Sequence, residues 1–243
     1  MKEAPRVIAH RGGRDWAPEN TLAAFKKSVD AGVHGVEFDV HRCSSGELIV
    51  IHDDDLNRTT NGVGFVKESS YPELKRLSAG LWFDKEFREE RIPLLTEVLD
   101  LFNEKMLIDI EIKNSPMGYD GIEEDLLSVI EPYRSKLNLS VSSFDHHCLR
   151  RLRELDSEID IGVLQSASLI DVGEYCKKFK AKYFIQDYDC LMPDAVAEAH
   201  EAGLKLIVWT VNDKYKWQRL IDMGIYGICT DIPAALIEYL GTL

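Results

Sequence analysis

The chain is predicted to be an α/β protein, a (β/α)8 TIM barrel with a small insertion after the second strand. Three observations carry this. Strand-like and helix-like runs alternate along most of the 243 residues, which implies a parallel sheet covered by helices. That length, with 45% hydrophobic residues, suits one large core. The polar residues least expected in apolar runs also fall at the ends of those runs, where barrels of this kind keep their chemistry.

Residues 7–10 form the first strand, closed by Arg11-Gly12-Gly13. Asn20 is placed to cap the next helix, whose stripe of Leu22, Ala23, Ala24, Phe25 and Val29 stops at Gly32. Residues 36–40 are the second strand. The run 48–52 follows after only residues 41–47, whereas a parallel crossover takes about a dozen. It is therefore expected to fold back as a hairpin arm outside the barrel count. From about residue 54 to 92, turn residues, aromatics and charges mix without a clear strand. The insertion is thus placed at about 46–92 of a single domain spanning 1–243. Pro93 precedes a helix carrying Leu94, Leu95, Val98, Leu99 and Phe102. Further strands are expected at 106–112, 139–142, 159–164, 183–186, 204–211 and 227–230. Helices are expected at 122–133, 145–155, 171–178, 194–202, 214–223 and 234–240. With the arm set aside, eight βα units remain. An open doubly wound sheet is the alternative, but no G-x-G-x-x-G follows the first strand.

A formal charge of -13 argues against a nucleic-acid partner, although a metal and a few Arg or Lys still allow a pocket that takes an anion. Five scattered cysteines without a C-x-x-C pair read as reduced thiols of a cytoplasmic protein. The N-terminal run lacks the apolar core of a secretion signal, and no apolar run approaches the roughly 20 residues that span a bilayer. No stable membrane anchor is expected.

Side chains alternate along a strand, so Glu37 and Asp39 share one face while Val36, Phe38 and Val40 take the other. In the third barrel strand, Asp109, Glu111 and Lys113 share the inward face in the same way. Like charges on a buried face need protons or a cation to be tolerable. Glu37, Asp39 and Glu111 on adjacent strands make an oxygen-rich site suited to one divalent cation, Mg2+ or Ca2+, with Mn2+ a further option. Zn2+ would recruit His or Cys more fully. A hard cation with few protein ligands completes its shell with phosphate oxygens, and Arg11 and Lys113 are fixed cations that a phosphate would also want. His10, ending the first strand, and His52, brought to the same rim by the arm, are candidates for an acid and a base. Trp209 and Asn212 fall late in the seventh barrel strand. Asp231, after the eighth, is read as capping the last helix or ordering a loop, and Arg58 as fixing the start of the insertion.

These residues resemble the glycerophosphodiester phosphodiesterases. The motifs are His10-Arg11-Gly12 with Pro18-Glu19-Asn20-Thr21, Glu37-x-Asp39-Val40, and His52-Asp53 with Leu56-x-Arg58-Thr59-Thr60-x-Gly62. Glu111-x-Lys113, Trp209-Thr210-Val211-Asn212 and Thr230-Asp231-x-Pro233 complete the series, which spans nearly the whole chain in order. The turn at Cys43, Ser44 and Ser45 departs from the Thr and Asp that the family often has there. The resemblance implies the same barrel and divalent-metal-dependent hydrolysis of a small-molecule glycerophosphodiester to sn-glycerol 3-phosphate and an alcohol. It implies Glu37, Asp39 and Glu111 as metal ligands, His10 and His52 as the acid/base pair, Arg11 and Lys113 as phosphate contacts, and Trp209 at the glycerol pocket.

Blander readings stand beside these. Glu37 and Asp39 could belong to a salt-bridged barrel layer, Lys113 could pair structurally with a carboxylate, and Trp209 could be core. Trp82 and Phe83 either overhang the pocket or pack the insertion. His34, His41, His146, His147 and His200 are read as surface or packing residues. Rival functions are a lysophospholipase D-like enzyme on lipid substrates, more remotely a cyclising phosphoinositide phospholipase C, and an inactive phosphodiester-binding barrel.

Overall fold

The computed structural model describes residues 4–242. Its strands are β1 (Arg6–His10), β2 (Gly35–Arg42), β3 (Leu48–Val50), β4 (Leu107–Ile112), β5 (Asn138–Ser143), β6 (Asp160–Gln165), β7 (Tyr183–Asp187), β8 (Lys205–Trp209) and β9 (Gly227–Thr230). They form one sheet in the order β1-β9-β8-β7-β6-β5-β4-β2-β3, and β1 also pairs with β2. That pairing closes a barrel of eight strands, all parallel, which is a TIM barrel. Only β3 runs antiparallel to its neighbour, with Val40 opposite Val50 and Arg42 opposite Leu48. The short link before it left the chain no other way back.

The helices are α1 (Leu22–Ala31), α2 (Tyr71–Leu74), α3 (Leu95–Leu99), α4 (Ile122–Ile130), α5 (His146–Leu155), α6 (Val172–Lys177), α7 (Pro193–Glu201), α8 (Lys214–Met223) and α9 (Pro233–Leu240). The expected helix over 122–133 is α only to Ile130 and continues as a 3-10 turn, Glu131–Tyr133, because Pro132 has no N–H to carry the α pattern on. The expected cap of α1 also needs correction. Thr21 is extended there and its Oγ accepts the Ala24 N–H at 3.3 Å. Asn20 is left-handed, with φ 58, and turns its side chain toward β2 instead.

The strand alternation sorts the core into separate bodies. Outward residues such as Val36, Phe38 and Val40 pack with Phe25 and the helices in the main cluster. Inside the barrel, Ile8, Leu107, Leu164, Tyr183, Ile185, Ile207 and Cys229 form a hydrophobic plug. A third cluster belongs to the arm and the stretch after it, where Ile49 and Ile51 meet Leu56, Val66, Leu74, Ala79 and Ile92. No helix among the described residues is long and apolar enough to cross a membrane.

Gly80 shows how tightly this third body is wound. A Cβ there would lie 2.2 Å from the carbonyl oxygen of Phe87, which is backbone and cannot swing away. Gly80→Ala is expected to lower stability by about 1–3 kcal/mol, measured by urea unfolding.

Candidate active site

Parallel pairing of β2 with β4 sets Glu37 beside Asp109 and Asp39 beside Glu111, so two inward rows of acids meet at the C-terminal end of the barrel. One carboxylate oxygen from each of Glu37, Asp39 and Glu111 lies within 4.8 Å of the others. Lys113, the next inward residue, donates from Nζ to Glu111 Oε1 at 2.8 Å and stands 3.5 Å from Asp39 Oδ1. From the other side, Arg11 Nε approaches Asp39 Oδ2 at 3.5 Å, and the Arg11 backbone N–H donates to Glu37 Oε2 at 3.2 Å. That backbone contact depends on the turn after β1, where Arg11 and Gly12 have φ 51 and 83. A Cβ on Gly12 would also meet Ala24 Cβ at 2.9 Å, so glycine lets the turn sit down on α1.

Electrostatics divides the trio. Burial pushes Glu37 well above the usual carboxylate range, reinforced by repulsion from Asp39 and Glu111. Burial also carries Glu111 up to about 7, against the pull of Lys113. Burial acts on Asp39 as well, but Lys113, Arg11, His52 and a 2.8 Å hydrogen bond from Asn20 Nδ2 outweigh it and hold Asp39 low. Asp39 Oδ1 is nevertheless buried without a hydrogen bond. An orphaned anionic oxygen beside two mutually repelling carboxyls fits a hard divalent cation, which takes oxygen ligands. Of the pair read as a possible salt-bridged layer, Asp39 lies 3.5 Å from both Arg11 and Lys113, and Lys113 also pairs with Glu111, but these contacts leave Asp39 Oδ1 without a hydrogen bond.

Both predicted histidines stand at this rim, each backed by a carboxylate. His10 Nδ1 lies 2.6 Å from Asp231 Oδ1, and His52 Nδ1 lies 2.6 Å from Asp53 Oδ1. Ionised carboxylates only accept, so each Nδ1 carries the proton and each Nε2 is left as an acceptor at the site. His10 Nε2 is 3.9 Å from Glu37 Oε2, and His52 Nε2 accepts from Lys113 Nζ at 3.2 Å. Asp231 therefore does not cap α9, whose N-cap is Ile232. Its second oxygen accepts from Asn212 Nδ2 at 2.8 Å.

His41 does more than fill space. Its Nε2–H donates to the His52 carbonyl at 3.0 Å, and its Nδ1 accepts from Tyr119 Oη at 2.8 Å. Burial holds its pKa down to about 4, so the ring is neutral and can both donate and accept. Glu19, 3% exposed, gathers three guanidiniums, those of Arg11, Arg14 and Arg58. Burial opposes its ionisation, yet Arg58, Arg11 and Arg14 together hold it down to about 2. In the sequence Asp53 and Glu19 carry no role of their own and Asn20 only that of a cap, although all three stand in the motifs Pro18-Glu19-Asn20-Thr21 and His52-Asp53.

A cavity of about 120 Å3 opens over these groups. His10, Arg11, Glu37, His52, Glu111 and Lys113 line one side, with Ile8, Leu164, Ile185, Ile207 and Cys229 from the plug below. Trp209 and Phe144 meet edge to face at its wall, ring centroids 5.6 Å apart. Trp209 both lines the cavity and packs on the plug, and its Nε1 is buried without an acceptor. Trp82 and Phe83 meet edge to face beside Phe87 and do not line the cavity.

The profile of the Glycerophosphoryl diester phosphodiesterase family matches residues 10–235. The chain belongs to this family. A glycerophosphodiester phosphodiesterase of Caldanaerobacter subterraneus subsp. tengcongensis is 40% identical over 233 residues, 96% of each chain. One from Bacillus altitudinis is 36% identical, covering 96% of this chain and 97% of its own. Among solved structures, an Oleispira antarctica phosphodiesterase in complex with the product sn-glycerol-3-phosphate superposes with a TM-score of 0.90. It is 30% identical and covers 98% of this chain and 97% of its own. The Thermotoga maritima glycerophosphodiester phosphodiesterase, 28% identical, gives 0.79 over 98% of this chain and 100% of its own.

The repulsion within the trio has a measurable cost. Glu37→Gln is expected to raise the melting temperature in EDTA by about 2–4 °C, which corresponds to about 1 kcal/mol of relief. Added Mg2+ or Mn2+ is expected to raise the melting temperature of the unaltered chain but not that of the variant. Scanning calorimetry with and without metal checks both.

Proposed function

We propose that this chain hydrolyses glycerophosphodiesters, releasing sn-glycerol 3-phosphate and an alcohol, by two-histidine acid/base catalysis beside a cation held by Glu37, Asp39 and Glu111. The observation that carries this is the pair of imidazoles, each with Nδ1 committed to a carboxylate, lining one cavity together with Glu37, Glu111 and the fixed cations Arg11 and Lys113. The relatives' activity and the product bound to the Oleispira antarctica phosphodiesterase support the substrate class.

A bound Mg2+, Ca2+ or Mn2+ supplies positive charge for a non-bridging phosphate oxygen. Arg11 and Lys113 bind the other phosphate oxygens and hold the diester between the imidazoles. Trp209 offers its unpaired Nε1–H and a flat apolar wall to the glycerol moiety. One histidine, neutral at Nε2, takes the proton of the attacking water or neighbouring glycerol hydroxyl; in the second case a water then opens the cyclic phosphate to glycerol 3-phosphate. The other, protonated at Nε2, delivers its proton to the oxygen of the departing alcohol, so no free alkoxide forms. Asp53 and Asp231 keep the rings in register through both steps and favour the imidazolium as it forms.

His10→Ala and His52→Ala are each expected to lower turnover of glycerophosphocholine by roughly 100-fold or more. The thermal shift on metal addition should survive in both, because neither ring belongs to the trio. Release of glycerol 3-phosphate with Mg2+, Mn2+ and Ca2+ in turn is the readout. Near-normal turnover in His52→Ala would sink the pairing. Faster cleavage of lysophosphatidylcholine than of glycerophosphocholine would move the assignment to the lipid-cleaving reading.

A further inference from the structure

We propose that Glu19 and Arg58 are positioning residues, which fix the tautomer and aim of His52 and couple it to the phosphate-binding Arg11. The inference rests on the reading of His52 as an acid/base group.

Arg58 uses both edges of its guanidinium. Nε donates to Asp53 Oδ2 at 2.6 Å and Nη2 to Asp53 Oδ1 at 3.0 Å. Nη1 donates to Glu19 Oε2 at 2.9 Å and Nη2 to Glu19 Oε1 at 2.8 Å. With both its oxygens held, Asp53 cannot rotate, and Oδ1 stays on the Nδ1–H of His52 at 2.6 Å. At the other end, Glu19 Oε1 also accepts from Arg11 Nη1 at 2.6 Å. An unbroken series of charge-assisted bonds thus runs from His52 through Asp53, Arg58 and Glu19 to Arg11.

The two ends belong to different parts of the fold. Glu19 lies between β1 and α1, whereas Asp53 and Arg58 lie beyond β3. The bridge therefore spans the gap across which His52 has to be aimed. A planar guanidinium can grip two carboxylates in fixed geometry, while a lysine brings one ammonium on a flexible stem and cannot.

The test is a double-mutant cycle between Arg58→Ala and His52→Ala, with kcat and KM for glycerophosphocholine measured alongside thermal melts. Arg58→Ala alone is expected to lower kcat by about 10–100-fold and to change KM by less than about threefold. In the His52→Ala background the same change should cost less than about twofold, because the ring it aims is gone. Arg58→Lys should not restore the rate. Long-range 1H–15N spectra of the imidazoles supply a readout independent of turnover. His52 should hold its proton on Nδ1 in the unaltered chain and become a tautomer mixture in Arg58→Ala. Fully additive losses with an unchanged His52 tautomer would overturn the proposal. If Arg58→Ala does not fold, Asp53→Asn and Glu19→Gln go through the same cycle and are judged by the same criterion. Near-normal turnover in His52→Ala counts against the acid/base reading instead, and the tautomer spectra still decide whether Arg58 holds the ring.

Discussion

The repulsion among Glu37, Asp39 and Glu111 is the constraint to which the rest of the site answers. Three carboxylates within 4.8 Å, buried at the mouth of a barrel, are unstable unless positive charge is brought to them. Strand register brings them together, since β2 and β4 cannot pair in parallel without aligning their inward rows. The answers come from three places. Lys113 extends the β4 row, Arg11 folds back in a left-handed turn after β1, and Asn20 donates from the loop beyond. None of them gives Asp39 Oδ1 a hydrogen bond, and that residual demand is what suits the cluster to a divalent cation.

The arm and its insertion form the second tier. β3 adds nothing to the closure of the barrel, yet it delivers His52 opposite His10. Its apolar side chains pack into a cluster of their own, while the polar ends reach back to the barrel through His41, Glu19 and Lys113. The placing of His52 relative to His10 therefore depends on two packed bodies meeting along a polar seam.

Much of this was legible in the chain because strand alternation has only two phases. Once 36–40 and 106–112 are strands, the faces of Glu37, Asp39, Asp109, Glu111 and Lys113 follow, and the length of the link before residue 48 gives the arm its direction. What could not be read depends on loops and rotamers. Asn20 looks like a cap by type, but a positive φ puts Thr21 in that position and frees Asn20 for Asp39. Asp231 looks like a cap by place, but its carboxylate meets His10 from 221 residues away. Glu19 draws its partners from two loops with no periodic pattern. His41 reads as a surface or packing residue in the sequence because nothing local marks the two polar groups it finds across the chain.

The separate hydrophobic cluster beneath the arm has a consequence for hidden states of the protein. Cooperative opening units tend to follow such clusters, so the insertion can loosen while the barrel stays whole. A molecule caught in that form would keep its carboxylates, Arg11 and Lys113 in place while His52 is displaced. Under the proposed mechanism it would bind metal and diester without turnover. Under that mechanism the fraction of unproductive complexes would be set by how well Ile49, Ile51 and their neighbours pack beneath His52.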